Sequence, residues 1–371
     1  MSIDQSTDNS ESLVKSISDP RVRVFCQDQR LGMTDNYRFL LSQARGEWIT
    51  ILGQDDSLAP FAIGYLRQIT RQFPDHEVLT SRRSFAFWPN TNQSVSKYTF
   101  IYPIDTRKPC LVSSSKFLKK TISGFREYSE GPQLYTGSFV KRSLIKRITE
   151  TNGGNFYRYL IPDVSSAIDL LTNTSHFVYA PLPLFIVGTS VSSTGIAIDN
   201  LISRSIESNS IDDISGFFTR SLTNSGLPGD GIYTSFSWYM YEAYMNSISI
   251  NLNSSLKTVR GNFAHVALAA LKYQSRNDNM FSEIQISRFK ILKKELGISS
   301  TELQYRLFLL QLRILFRKMT KYLLGSFLLA TGRLLLSTEQ DPMCFSINKQ
   351  IERTMDNKHL QEYLNRLKIL K

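Results

Sequence analysis

The 371-residue chain predicts an α/β protein with a mostly helical C-terminal part, and three features carry that expectation. Over the first half, short apolar or alternating runs take turns with segments whose apolar residues recur at helical spacing, the pattern of a sheet layered with helices. Residues 48–52 form an apolar run that leads straight into two adjacent carboxylates, Asp55 and Asp56, and then into a helix opened by Pro60. In an open α/β sheet, ligands bind at that carboxyl edge of a strand. Beyond about residue 196 the pattern turns helical. The expected organisation is therefore a sheet region over residues 1–195, a helical, aromatic-rich region over 196–300, and a basic amphipathic helical region over 301–371.

Taken in order, residues 2–10 read as a strand end breaking into a polar turn, and 10–17 as a short helix carrying Leu13, Val14 and Ile17. Asp19-Pro20 makes a turn, and residues 21–26 alternate as a strand does. After Gly32 a helix over 35–44 places Tyr37, Leu40 and Leu41 on one face, and Gly46 ends it. The helix over 60–73 sets Ile63, Leu66, Ile69 and Phe73 at helical spacing. A strand at 78–87, a polar loop at 88–97 and a short basic helix at 113–122 with Lys116, Lys119 and Lys120 follow. Residues 134–141 read as a strand with a small-residue turn at Thr136, Gly137 and Ser138, and 143–149 as a helix. Another helix opens near Asp163, and 176–180 and 182–188 read as two strands.

In the C-terminal part, 211–222, 259–273, 281–296 and 350–370 read as helices. Residues 303–336 are dense in apolar side chains, but Arg306, Arg313, Arg317 and Lys321 share one helical face. Those cations interrupt the run too often for a membrane span. Two readings stay open for it: a helix lying on anionic headgroups, or ordinary packing of its apolar face.

Composition narrows the classes of function. Hydrophobic content of 42% and charged content of 20% describe a globular chain. The formal charge of +12 favours an anionic partner. The cations are scattered and no nucleic-acid-binding motif is present, which argues against nucleic acid. Cys26, Cys110 and Cys344 are far apart and the four histidines form no His-x-x-x-His pattern. A zinc site or disulfide framework is not expected, and a reducing, cytoplasmic compartment is. The first ten residues do not read as a signal peptide.

Two carboxylates side by side repel each other unless a cation or donor groups sit between them. A hard divalent ion bridging to substrate phosphates satisfies Asp55 and Asp56 in this way. An acidic turn, with Asp56 or Ser57 capping the next helix, explains the same spacing.

The ordered series Asp4-Gln-Ser-Thr-Asp8, Asp19-Pro20-Arg21-Val22-Arg23, Gly32 with Asn36, Ala44-Arg45-Gly46-Glu47-Trp48-Ile49 and Gly53-Gln54-Asp55-Asp56 with Pro60 resembles the nucleotide-sugar half of a family 2 glycosyltransferase of the GT-A fold. It covers roughly residues 1–190. The resemblance implies that Asp4, Gly32, Asn36 and Asp55 lie on the side of a nucleotide-diphosphate sugar donor. It further implies that Asp55 and Asp56, as a DxD-type element, hold Mn or Mg. Gly53 stands where the longer form of that element has its first acidic residue. Family members carry a further strand-helix unit before the Asp4 position, which is not seen here. By the same resemblance Asp163 is the general base that takes the acceptor hydroxyl proton, with Glu130 and Asp169 as fallbacks. Local spacing makes Asp163 equally a helix cap, and a helix start keeps a carboxylate ionised while weakening it as a base. The loop at 188–195 would border the acceptor, its serines holding sugar hydroxyls, or serve as a linker.

The implied activity is inverting, non-processive sugar transfer to a glycan or lipid-linked acceptor, since a Gln-x-x-Arg-Trp signature and flanking spans are absent from the sequence. A cytoplasmic enzyme, peripheral at an anionic membrane face, is the expected setting. The second reading is a truncated, catalytically inactive remnant or partner-binding protein.

Overall fold

The computed structural model describes residues 1–87, 99–101, 107–122, 126, 128–158, 162–189, 193, 290, 294, 297–305, 308, 309 and 312. In chain order its elements begin with β1 (Ser2–Ile3), α1 (Ser10–Lys15), β2 (Phe25–Cys26), α2 (Met33–Gln43), β3 (Trp48–Ile49), β4 (Ser57–Leu58) and α3 (Ala62–Gln72). They continue with β5 (Val78–Phe87), β6 (Thr99–Ile101), β7 (Cys110–Ser113), α4 (Ser114–Ile122) and a 3-10 turn at Tyr128–Glu130. The last are β8 (Ser138–Lys141), α5 (Arg142–Thr151), α6 (Pro162–Asn173) and β9 (His176–Thr189). The polar loop expected at 88–97 and, apart from the described positions from 290 to 312, the helical regions expected over 196–300 and 301–371 lie outside the described residues, as does most of 303–336 with its open question.

The α/β alternation read from the sequence is the architecture observed. A seven-stranded mixed sheet runs in the order β3-β8-β5-β9-β4, with β6 added to β5 and β7 to β9. β1 and β2 pair in parallel as a separate two-stranded sheet. The spine is the parallel pair of β5 and β9, from Leu79 opposite Val178 to Phe87 opposite Thr189. The two strands expected at 176–180 and 182–188 are one strand. Pro181 and Pro183 supply no N–H to a ladder, and they fall where the register shifts between Ser81 and Arg83 of β5. The Leu184 N–H there donates to the Ser81 hydroxyl at 3.1 Å, which closes the irregularity.

Several strands are shorter than their apolar runs. The run at 48–52 forms a ladder with β8 only at Trp48 and Ile49, and continues as a single parallel bridge between Ile51 and Tyr135. The core is built from α3 and the sheet: Ala62, Leu66 and Ile69 pack with Leu79, Phe139, Val178 and Phe185. Ile63, expected on that face, is 46% exposed. The buried stripe runs through Ala62, and a neighbouring residue lies about 100° round a helix of 3.6 residues per turn. α6 is buried along almost its whole length despite Ser165, Ser166 and Asp169. Its serine hydroxyls donate to the Pro162 and Asp163 carbonyls one turn back, so those buried polar groups are satisfied.

Candidate active site

The aspartate pair sits in the turn between the Ile51 bridge and β4. β4 pairs antiparallel with β9, Ser57 opposite Ile186 and Leu58 opposite Phe185. That register carries the preceding residues onto the end of β9. The Gly188 N–H donates to Asp56 Oδ1 at 3.0 Å, and the Gly53 N–H donates to Oδ2 at 2.8 Å. The Tyr135 hydroxyl adds a third hydrogen bond. Burial nevertheless dominates and raises the Asp56 carboxyl above its ordinary value, with the nearby Asp55 charge acting the same way and the three donors acting against them. Asp55 has a different environment: its Oδ2 accepts from the Ser193 hydroxyl at 2.7 Å.

Two glycines let this turn close. A Cβ on Gly188 would run into the Asp55 carbonyl oxygen. A Cβ on Gly53 would lie 2.7 Å from Asp56 Oδ2 and 2.7 Å from the Tyr135 hydroxyl. The space that an acidic side chain at position 53 would need is occupied by Asp56 and Tyr135.

Asp163 is the second residue of α6. The Tyr128 hydroxyl donates to its Oδ2 at 3.1 Å. Burial is the largest influence and raises its carboxyl above the ordinary range. The Tyr128 hydroxyl, the N–H groups of Asp163 and Val164, and the Arg83 guanidinium pull in the opposite direction without cancelling it. The helix start therefore does not make Asp163 a weakened base, because loss of solvation outweighs it. A raised carboxyl in a partly enclosed site is suited to accept a proton.

Aromatic residues link the two acidic positions. Tyr37 of α2 is hydrogen-bonded to Tyr135, and their rings are 5.5 Å apart; its ring also lies 5.9 Å from that of Tyr157. The charges of Asp55, Asp56 and Asp163 all act on the Tyr37 hydroxyl, whose pKa is pushed upward chiefly by burial. One tyrosine thus senses all three carboxylates, so the structure brings them to a common region.

On the side of β1, Asp4 accepts from the Leu31 N–H at 2.6 Å and the Gly32 N–H at 2.9 Å. It closes the loop that enters α2. Gly32 has φ of +77°, a left-handed conformation that suits glycine, and no neighbour lies within 4 Å of where its Cβ would be. One turn later the Asn36 N–H donates to the Gly32 carbonyl at 3.0 Å. The Asn36 side-chain oxygen is buried without a hydrogen-bond partner among the described residues, which marks it as a group awaiting a donor.

The fallback residues have structural duties. Asp169 is 0% exposed and pairs with Arg158 at 2.6 Å, while Asn152 donates to its other oxygen at 3.3 Å. Glu130 lies 3.5 Å from Arg126 in a salt bridge. Sequence reasoning placed Gly188 and Ser193 in a loop bordering the acceptor rather than beside the aspartate pair, and did not single out Tyr37, Tyr128, Tyr135 or Arg83 for the site. Gly188 follows an apolar run and so had a faint signal, whereas the tyrosines and arginine have no diagnostic spacing.

The donor set fits a hard divalent ion. Such ions keep several waters and need only one or two protein carboxylates. Among the described residues there is no group of three or more His, Cys, Asp or Glu for a softer, fully protein-bound metal. Both Asp56 oxygens already accept backbone N–H groups, whereas Asp55 Oδ2 accepts from the Ser193 hydroxyl. No helix among the described residues is long and apolar enough to cross a membrane.

The mixed α/β sheet thus carries an acidic pair at a strand's end and a raised carboxylate on a neighbouring helix. Residues 2–147 match the model of the family described as glycosyl transferase family 2. Among solved structures, similarity extends to S. aureus TarS 1-349 in complex with UDP-GlcNAc, at 12% identity over 79% of this chain and 80% of that chain, with a TM-score of 0.41. It extends also to S. aureus TarS 1-349 at 13% identity, 79% and 80% coverage and 0.39, and to S. aureus TarS at 13% identity, 79% and 48% coverage and 0.40. No curated protein matches the chain.

Proposed function

We propose that the chain transfers a sugar from a nucleotide-diphosphate donor to a glycan or lipid-linked hydroxyl, with inversion, one sugar at a time and with Mn or Mg. The observation that carries this reading is the convergence of Asp55, Asp56 and Asp163 on Tyr37. The acidic turn and the base candidate thereby share one site.

In this reading Asp55, with Asp56 behind it, would hold the divalent ion, whose charge offsets the negative charge that grows on the departing diphosphate. Asp56 keeps the turn closed through Gly53 and Gly188. Asp4 and Gly32 shape the entrance to α2, where the unpartnered Asn36 oxygen is offered to the donor nucleotide. Asp163 removes the acceptor hydroxyl proton as the oxygen attacks the anomeric carbon. Its raised carboxyl makes it a stronger base than a solvated aspartate. A cytoplasmic position against an anionic membrane face belongs to the same proposal, on the strength of Arg306, Arg313, Arg317 and Lys321.

Calorimetric titration with UDP and GDP, with and without Mn, tests the donor half. Metal-dependent binding of one nucleotide, lost in Asp55→Ala, is the expected result. Absence of binding to either nucleotide in the folded wild-type chain overturns the reading.

A further inference from the structure

Arg83 of β5 contributes its side chain to neither acidic residue directly, yet the charges of both act on its guanidinium. Its Nη2 donates to the Ser129 carbonyl at 2.9 Å. With the Gln133 amide oxygen turned toward it, the orientation that satisfies both groups, Nη1 donates to Gln133 at 2.7 Å and Nη2 donates to the same oxygen. The backbone of Gly137 packs directly on the guanidinium, since a Cβ there would lie 2.6 Å from Nη2 and 3.1 Å from Nε. Three contacts at residues 129, 133 and 137 therefore clamp one connecting segment. That segment carries Tyr128, which donates to Asp163, and Tyr135, which donates to Asp56.

Among the described residues Arg83 makes no ion pair within salt-bridge distance, although its guanidinium is desolvated and its pKa is lowered by burial. A buried cation satisfied only by a carbonyl and an amide is an expensive way to hold a loop. Its field offers a reason for it: the charges of Asp163 and Asp56 both act on the guanidinium.

We propose that Arg83 is a positioning residue that holds the Tyr128–Tyr135 segment so that one tyrosine is presented to Asp163 and the other to Asp56, coupling the base to the metal-binding turn. This rests on the reading of Asp163 and Asp56 given above. A neutral side chain of similar length would fill the volume but leave the segment unclamped and Asp163 without a nearby cation. The groups facing Asp163 are Tyr128 from the 3-10 turn, Arg83 from β5, Tyr37 from α2 and Tyr157 from the stretch before α6.

The test follows Asp163 directly, by NMR of the full chain labelled with 13C at aspartate carboxyls, the resonance being assigned with Asp163→Asn. Binding of UDP with Mn is measured in parallel. In Arg83→Gln the Asp163 midpoint is expected to move up by at least about half a pH unit, because a cation has gone. UDP–Mn affinity is expected to fall roughly five-fold or more, the effect of losing one hydrogen bond at Asp56. Arg83→Lys should keep the midpoint nearer the wild type yet lose affinity, since an ammonium cannot fork to residues 129 and 133. Gln133→Leu keeps the guanidinium and covers the case in which Arg83→Gln does not fold; it too should weaken UDP–Mn binding. A folded Arg83→Gln or Gln133→Leu chain with unchanged midpoint and unchanged affinity overturns the proposal. If the wild type binds no nucleotide, the functional reading fails, while the Asp163 midpoint still decides whether Arg83 acts on it.

Discussion

The N–H of Gly188 donates to the carboxylate of Asp56 at 3.0 Å across 132 residues of sequence. The acidic turn is thus locked to the end of the last described strand, and its geometry depends on β9 as much as on its own residues. Gly188→Ala should therefore behave as a site mutation. The new Cβ would meet the Asp55 carbonyl oxygen, and the strand or the turn must shift. Overpacking of this kind costs about 1–3 kcal/mol. The expected outcome is a lowered melting temperature with loss of metal-dependent nucleotide binding, read by thermal unfolding and calorimetry.

Asp55 and Asp56 should separate in their effects. Asp56→Asn removes the charge that accepts from Gly53, Gly188 and Tyr135. Part of the resulting loss is offset because a desolvated charge is also removed, leaving a net cost on the order of 1 kcal/mol. Asp55→Asn should leave unfolding nearly unchanged and abolish Mn-dependent nucleotide binding. Equal destabilisation by both variants in a denaturant titration would contradict this division.

Gly53→Asp places an acid where the longer form of the motif has one, but it should not improve binding. Its Cβ would lie 2.7 Å from both Asp56 Oδ2 and the Tyr135 hydroxyl. A third carboxyl there adds repulsion to an Asp56 already raised by burial. Weaker nucleotide binding than the wild type, measured at the same Mn concentration, is the expected result.

Asp163 and Asp56 also set the pH dependence of stability. Both carboxyls are raised, so the folded chain binds their protons more tightly than the unfolded chain. Their contribution is fully present below the ordinary aspartate value of 3.8 and is lost as pH rises through the raised folded values. Asp163→Asn removes one such group. Its melting temperature should decline less than that of the wild type as pH is raised from about 4 through the weakly acidic range.

Arg158→Met distinguishes the buried ion pair from the chemistry. It leaves the fully buried Asp169 charge without its guanidinium partner. Breaking such a pair from one side costs about 3–5 kcal/mol. A large drop in unfolding free energy, with nucleotide binding retained at low temperature, is the result expected of a structural pair.

Much of the fold was legible because burial writes a periodic signal. Leu66 and Ile69 of α3 and the apolar runs of β5 and β9 announce their elements by spacing alone. Ile63 misled because one residue of rotation separates the buried stripe from solvent, and Ala62, too small to stand out, occupies the core. The acidic pair was a candidate from its place after an apolar run, and Asp163 a candidate from a resemblance. Their surroundings were not legible. Tyr37, Arg83 and the Tyr128–Tyr135 segment come from three separate parts of the chain, and no local pattern marks residues that meet only after folding.

The sequence by itself determined the alternation of strands and helices, the position of Asp55 and Asp56 after an apolar run, and the match of residues 2–147 to the model of glycosyl transferase family 2. Those properties depend on neighbours along the chain, through side-chain periodicity and turn chemistry. Only the tertiary structure decided that Asp56 is held by Gly188, that Asp55 takes the Ser193 hydroxyl, and that burial outweighs the helix start at Asp163. Desolvation and long-range hydrogen bonds depend on what surrounds a group in space, and that is set when β4 pairs with β9 and α6 packs against the sheet.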